Sequence, residues 1–174
     1  DPGPCREAQR HLPPLNASHA LVIGAGLAGA AAASALARRG WQVQVLDAAP
    51  EPAAGTSALP AGLMAPHLSA DDGLLSRLTR LGVQTTRAEL ERLTTRGLLR
   101  KGQDWRCDGA LEHRIRSSRP PALPEAATGG SRPATADELA AASLPPDATA
   151  VWHPSAGWVR PGALVRAWLS EPGV

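Results

Sequence analysis

Directly behind the short apolar run 20–23 stand three glycines at fixed spacing, Gly24, Gly26 and Gly29. The turn reads Gly24-Ala25-Gly26-Leu27-Ala28-Gly29 and is followed by an alanine-rich segment over 27–39, by Gly40, by an alternating run over 41–46 and by Asp47. An apolar run of that length suits a buried parallel strand, alanine favours helix, and strict alternation marks a second strand. The chain is therefore expected to run strand, tight turn, helix, strand. Gly24 makes the turn, Gly26 leaves the backbone bare, and Gly29 lets the helix close on the strands.

A helix that begins at such a turn points its unpaired N–H groups and the positive end of its dipole at whatever lies before Gly26. That end is suited to a diphosphate. Asp47, at the carboxyl end of the second strand, is placed to accept hydrogen bonds from a ribose, and its charge repels a 2′-phosphate. The residues thus spell a dinucleotide site for NAD or FAD, with Gly24, Ala25, Gly26, Leu27, Ala28, Gly29 and Asp47 as candidate contacts. The segment after Asp47 separates the two. Residues 51–66 are a long loop of small residues and prolines, where a plain NAD unit moves on to another helix.

Here the chain resembles the FAD-dependent amino-acid oxidase superfamily, and within it the oxidoreductase domain of bacterial enzymes that make 5-methylaminomethyl-2-thiouridine in tRNA. Four segments carry the resemblance. The first is the glycine fingerprint through Asp47. The second is Gly55-Thr56-Ser57 with Gly62 and Pro66, similar to that family's Gly-Ala-Ser loop, which lies against the flavin nucleotide; it adds Thr56, Ser57, Gly62 and Leu63 to the candidate cofactor contacts. The third is Asp104-Trp105-Arg106-Cys107-Asp108-Gly109-Ala110-Leu111, similar to a stretch that opens a strand of the substrate region. The fourth, His153-Pro154-Ser155-Ala156-Gly157-Trp158-Val159-Arg160-Pro161 with Leu164 and Leu169, is similar to the Gly-Trp-x-x-Pro step before the helix leading back into the FAD domain. One departure stands out: Ala58-Leu59-Pro60-Ala61 replaces more polar residues, so no side-chain contact is carried over there.

The resemblance implies an α/β fold, a Rossmann-like βαβ FAD-binding domain of the glutathione-reductase-like type with the start of an inserted α+β substrate domain, truncated near Val174. It implies FAD as cofactor and oxidation of a carbon–nitrogen bond. In that chemistry flavin N5 accepts a hydride from the carbon beside an amine, water hydrolyses the imine, and oxygen reoxidises the flavin. In the tRNA branch the substrate is the carboxymethylaminomethyl group of a wobble uridine, which loses its carboxymethyl part. The implied partners are tRNA and a methyltransferase domain fused ahead of this chain. Catalytic side chains stay unassigned. Two other readings remain open: an oxidase of a free amino acid or amine, and a truncated, catalytically silent dinucleotide-binding fragment.

The chain divides into a linker over 1–18, the FAD-binding unit and flavin loop over 19–70, a substrate region over 71–155 and a returning helix over 156–174. Within the substrate region, Leu74, Leu75, Leu78, Leu81, Leu90, Leu93 and Leu98 predict two helices broken near Gly82. The Pro/Gly-rich stretch 117–146 is expected to loop around one short helix over 137–142. With five tryptophans and no phenylalanine or tyrosine among 174 residues, the core is expected to be filled by Leu, Val and Ala, which bury less area each.

No stretch reaches the length of a membrane span, which points to a cytoplasmic protein without a membrane partner. Cys5 and Cys107 lack metal-ligand spacing, as do His67, His113 and His153, so no metal is expected, and the sequence assembles no Ser-His-Asp set. Basic residues concentrate at Arg77, Arg80, Arg87, Arg92, Arg96, Arg100, Lys101, Arg106, Arg114, Arg116 and Arg119. They read either as an electrostatic footprint for tRNA phosphates or as a solvated face balanced by Glu89, Glu91 and Asp104, the net charge being only +2. Met64 and His67 come after the flavin-type loop, and either face the ring or serve loop packing.

Overall fold

The computed structural model describes residues 18–115 and 130–174. The expected linker (apart from Ser18), Cys5, Arg116, Arg119 and the part 117–129 of the Pro/Gly-rich stretch lie outside the described residues.

Strand β1 (His19–Ile23), helix α1 (Leu27–Ala37) and strand β2 (Gln42–Leu46) match the sequence pattern in order. The two strands pair in parallel from His19 opposite Gln42 to Ile23 opposite Leu46. Gly24 turns the chain at φ +106°, a conformation that side chains disfavour. The third glycine is demanded by packing: a Cβ at Gly29 would stand 1.8 Å from the Gly24 carbonyl oxygen. The inward face of α1 is Ala30, Ala33 and Ala37, small enough for helix α4 (Pro161–Leu169) to lie close, with Val165 against Ala30 and Ala53.

After β2 a 3-10 turn covers Thr56–Ala58, and Gly62–Met64 forms strand β3. The expected loop therefore ends in a strand. Helix α2 spans Leu74–Thr95 without a break, which corrects the expected interruption near Gly82. Glycine within a helix costs about 1 kcal/mol. Burial of Val83, Leu90 and Leu93 on one face of α2 outweighs that, at about 1.5–3 kcal/mol for each fully buried side chain. The leading leucines, Leu74, Leu75, Leu78 and Leu81, are exposed.

The Asp104–Leu111 segment supplies two short strands, β4 (Trp105–Arg106) and β5 (Ala110–His113). Strand β6 (Arg132–Pro133), helix α3 (Ala136–Ala141), strand β7 (Ala150–His153) and strand β8 (Gly157–Val159) complete the described order before α4. Two antiparallel sheets result, β3-β8-β4 and β5-β7-β6. Helix α3 begins on a capping box, with Thr135 and Glu138 exchanging side-chain and backbone bonds. The main core gathers Met64, Val83, Leu90, Leu93, Leu99, Trp105, Val159, Leu164 and Ala167. Trp105 donates its indole N–H to Thr94 Oγ1 at 2.9 Å, so its polar edge is satisfied inside.

An ionic network ties α2 to α1 and α4. Glu89 accepts from Arg92 at 2.7 Å, from Arg38 at 3.0 Å and from the Trp168 indole at 2.9 Å. Glu171 accepts from Arg92 and, at 2.5 Å, from Arg96. Arg80 pairs with Asp72 at 2.6 Å, Arg87 with Glu91 at 3.2 Å, Arg100 with Asp104 at 3.5 Å, Arg106 with Asp108, and Arg114 with Glu112 at 2.9 Å. Lys101 lies over the Trp105 ring. Among the described residues of the basic stretch weighed as a tRNA footprint, Arg80, Arg87, Arg92, Arg96, Arg100, Arg106 and Arg114 have a carboxylate partner and Arg77 has none, which suits a balanced, solvated face for most of them.

Candidate dinucleotide site

Helix α1 starts at Gly26 with no capping side chain of its own. The cap comes from the distant loop: Ser57 Oγ accepts the Leu27 N–H at 3.2 Å. A Cβ at Gly26 would stand 3.2 Å from that hydroxyl, so the bare second glycine is what lets the loop close over the helix end. Asp47 completes the other wall. Its Oδ2 accepts the Ala25 N–H at 2.6 Å and its Oδ1 the Ala49 N–H at 2.8 Å. These two backbone bonds, that from Ala25 first, hold the carboxyl below the usual carboxylate range. Asp47 is thus ionised at neutral pH, and each oxygen keeps a second lone-pair direction for a ribose hydroxyl.

Between these walls lies a cleft of about 400 Å³ lined by Gly26, Asp47, Ala48, Ala49 and residues 53–57. Its volume lies within the range of small-ligand sites. Small side chains leave room for a nucleotide, one end carries a fixed carboxylate, and the other is a helix amino terminus. The residues present therefore fit the adenosine diphosphate part of a dinucleotide.

Of the residues singled out in the sequence, Gly26, Asp47, Thr56 and Ser57 meet at this cleft. Ala25 and Leu27 take part through backbone N–H groups, while Gly24 and Gly29 shape the turn from behind. Ala28 is exposed in the first turn of α1. Gly62 and Leu63 stand apart on β3, opposite Val159 and Trp158. Met64 is buried in the main core, and His67 is exposed, its N–H donated to Thr79 Oγ1 at 3.0 Å and its carbonyl accepting from Ser76 Oγ at 3.0 Å. Both serve packing.

A second cleft, of about 310 Å³, adjoins the first and shares Ala53, Ala54 and Ser57 with it; Arg160 and Arg166 stand on its wall. Sequence reasoning passed over these arginines, because nothing in their spacing links them to a loop a hundred residues earlier. It also assembled no serine–histidine–carboxylate set, and one exists. Ser131 Oγ lies 2.9 Å from His153 Nδ1, and Glu112 Oε2 lies 3.1 Å from His153 Nε2. Ser131 and His153 are both buried, so the set ties strands together and offers no nucleophile to a substrate. Burial pushes the half-buried Cys107 thiol up, which keeps it protonated at neutral pH. Among the described residues no cluster of His, Cys, Asp and Glu suits a metal ion, and no helix is long and apolar enough to cross a membrane.

The parallel β1–α1–β2 unit, its glycine turn and the acidic residue at the end of β2 form the pattern of a dinucleotide-binding protein. Residues 19–172 match the FAD dependent oxidoreductase (DAO) family, and the chain belongs to it. It is 53% identical over 178 residues to the tRNA 5-methylaminomethyl-2-thiouridine biosynthesis bifunctional protein MnmC of Delftia acidovorans, covering 99% of this chain and 27% of that protein. It is 52% identical over 162 residues to the MnmC protein of Polaromonas naphthalenivorans, covering 88% of this chain and 25% of that protein. The chain thus spans about a quarter of the length of these curated relatives. Among solved structures, the glycine oxidase of Bacillus cereus superposes with a TM-score of 0.64 at 19% identity, over 90% of this chain and 43% of that one. At that identity the likeness is one of fold.

Proposed function

We propose that this chain is the FAD-holding part of an oxidoreductase that removes the carboxymethyl group from carboxymethylaminomethyl-uridine at the tRNA wobble position. The observation that carries the reading is identity of about half, over nearly the whole chain, to proteins named for that biosynthesis. The site's geometry agrees, since a helix amino end bordered by small residues suits the diphosphate of FAD and the charged Asp47 disfavours a 2′-phosphate.

In this reading the fold is Rossmann-like, of the glutathione-reductase-like type, and the FAD unit ends near residue 70. The turn Gly24 to Gly29 receives the diphosphate, Leu27 and Ala28 presenting the first turn of α1. Asp47 holds the adenosine ribose. Thr56 and Ser57 border the path toward the flavin, and Gly62 and Leu63 offer backbone beyond it. When bound, FAD supplies a two-electron acceptor for the C–H bond beside the substrate amine. Hydrolysis of the resulting imine returns the aminomethyl-uridine and releases the two-carbon unit as glyoxylate, with oxygen as the final acceptor. The partners are tRNA and a fused methyltransferase domain, in a cytoplasmic setting.

The test is nucleoside mass spectrometry of tRNA bearing carboxymethylaminomethyl-uridine after incubation with the protein, FAD and oxygen. Loss of the carboxymethyl mass only when all three are present is the expected result. Unchanged tRNA alongside oxidation of glycine or another free amine would place the protein with the free-amine oxidases instead.

A further inference from the structure

We propose that the cleft between residues 51–60 and the start of α4 is a phosphate subsite with Arg160 and Arg166 as its donors, separate from the place of the cofactor's own diphosphate. Its occupant is a phosphodiester of the nucleic-acid substrate, and that part rests on the tRNA function proposed for the chain.

The first reason is the state of the two guanidinium groups. Most arginines of α2 and of the strands after it have a carboxylate partner within 3.5 Å. Arg166 has none among the described residues. Arg160 approaches Asp104 only to 3.9 Å, and that carboxylate already accepts the Arg100 N–H at 2.9 Å. The two arginines nevertheless line one cavity of about 310 Å³. Glu51, on the same wall, forms no ion pair with either.

The second reason is where Arg166 lies. Its Nη1 comes within 3.4 Å of where a Cβ on Gly162 would stand, so the side chain runs back over the first turn of its own helix. A cation there opposes the helix dipole, whose amino end is positive. Arg160 and Arg166, both exposed to solvent, line one cleft at the amino end of α4, and an anion held there would draw on both charges and on the helix end. Guanidinium forks match the oxygens of a phosphate two at a time.

The third reason is position. The cleft shares Ala53, Ala54 and Ser57 with the dinucleotide cleft, and in the function proposed above the cofactor's diphosphate takes the amino end of α1. A phosphate held in the neighbouring cleft would then belong to a second phosphate-bearing ligand, and a polynucleotide provides one.

The test uses the chain with its dinucleotide cleft saturated by ADP-ribose, titrated with inorganic pyrophosphate by calorimetry. The expected result is binding that persists under ADP-ribose, falls about tenfold or more in Arg160→Gln/Arg166→Gln, and is unchanged in Arg77→Gln, an exposed arginine elsewhere. If ADP-ribose abolishes the binding, or if the double variant binds like the native chain, the subsite is overturned. Arg160→Lys/Arg166→Lys keeps the charge and loses the fork; an intermediate, several-fold loss in that variant excludes a folding artefact. A stem-loop RNA then identifies the source, since two lost contacts lower the slope of log affinity against log salt by about 1.4. Pyrophosphate binding without any RNA binding would retain the subsite and overturn its assignment to tRNA.

Discussion

Asp47 reaches back across the glycine turn to accept the backbone N–H of Ala25 at 2.6 Å, so the residue proposed to hold the ribose also fixes the turn proposed to receive the diphosphate. Replacing it acts on both. Asp47→Ala is expected to weaken FAD and ADP-ribose alike, on the order of tenfold, measured by parallel titrations. Because the carboxyl is held below its usual range by the Ala25 and Ala49 amides, native binding should be flat from about pH 5 to 9.

Gly29→Ala places a Cβ 1.8 Å from the Gly24 carbonyl oxygen, which is backbone and has no rotamer to adopt. The helix must move away from β1. The expected loss is about 3 kcal/mol, at the upper end for overpacking. In a chain of this size that lowers the melting temperature by roughly 6–12 °C, read by circular dichroism, with nucleotide affinity lost in parallel.

Glu171 is almost fully buried and bridges Arg92 and Arg96 of α2 to the end of α4. Burial pushes its carboxyl up, and the bonds from Arg96 and Arg92 more than reverse this, so the folded value lies below the ordinary one. Glu89, lowered first by its bond from Arg92, behaves alike. A depressed folded value means that the stabilisation is complete above the unfolded value near 4.5 and is lost as pH falls through the folded value. Melting temperatures should therefore hold from pH 7 to about 5 and then fall. Glu171→Gln should cost about 2 kcal/mol, below the figure for a fully buried pair because both guanidinium groups keep contact with water, and should flatten the acid limb.

Ser131→Ala leaves His153 Nδ1 buried without a partner. A loss of about 1–2 kcal/mol is expected in thermal or urea melts, with affinity for ADP-ribose unchanged, because the set lies on β5, β7 and the approach to β6 rather than at the cleft.

The βαβ unit was legible because its constraints are local: the turn at Gly24, the close approach at Gly29 and the alternation of β2 are each written within a few residues. Helix α2 was legible as helix but not as one helix. Gly82 is a break signal read locally, and only the distant packing of Val83, Leu90 and Leu93 against Trp105 and Leu164 overrides it. Strand β3 was read as loop because three residues carry no period, and its partner in β8 lies about ninety residues later. Separation along the chain, from 22 to about a hundred residues, likewise hid Ser57 as the cap of α1, Arg160 and Arg166 beside the 51–60 loop, and the meeting of Ser131, His153 and Glu112. The arginine pairs could be foreseen only where the acid lies one turn away, as for Arg87 and Glu91; Glu171 lies far outside that reach.

Whether the cleft at Gly26, Asp47 and Ser57 holds FAD is decided by titrating the chain with FAD, read by tryptophan quenching and flavin absorbance. The predicted result is saturable one-to-one binding, displaced by ADP-ribose and much less by its 2′-phosphorylated form, and weakened in Asp47→Ala. Equal displacement by the 2′-phosphorylated nucleotide, or no saturable binding of either FAD or ADP-ribose by the folded chain, would contradict it.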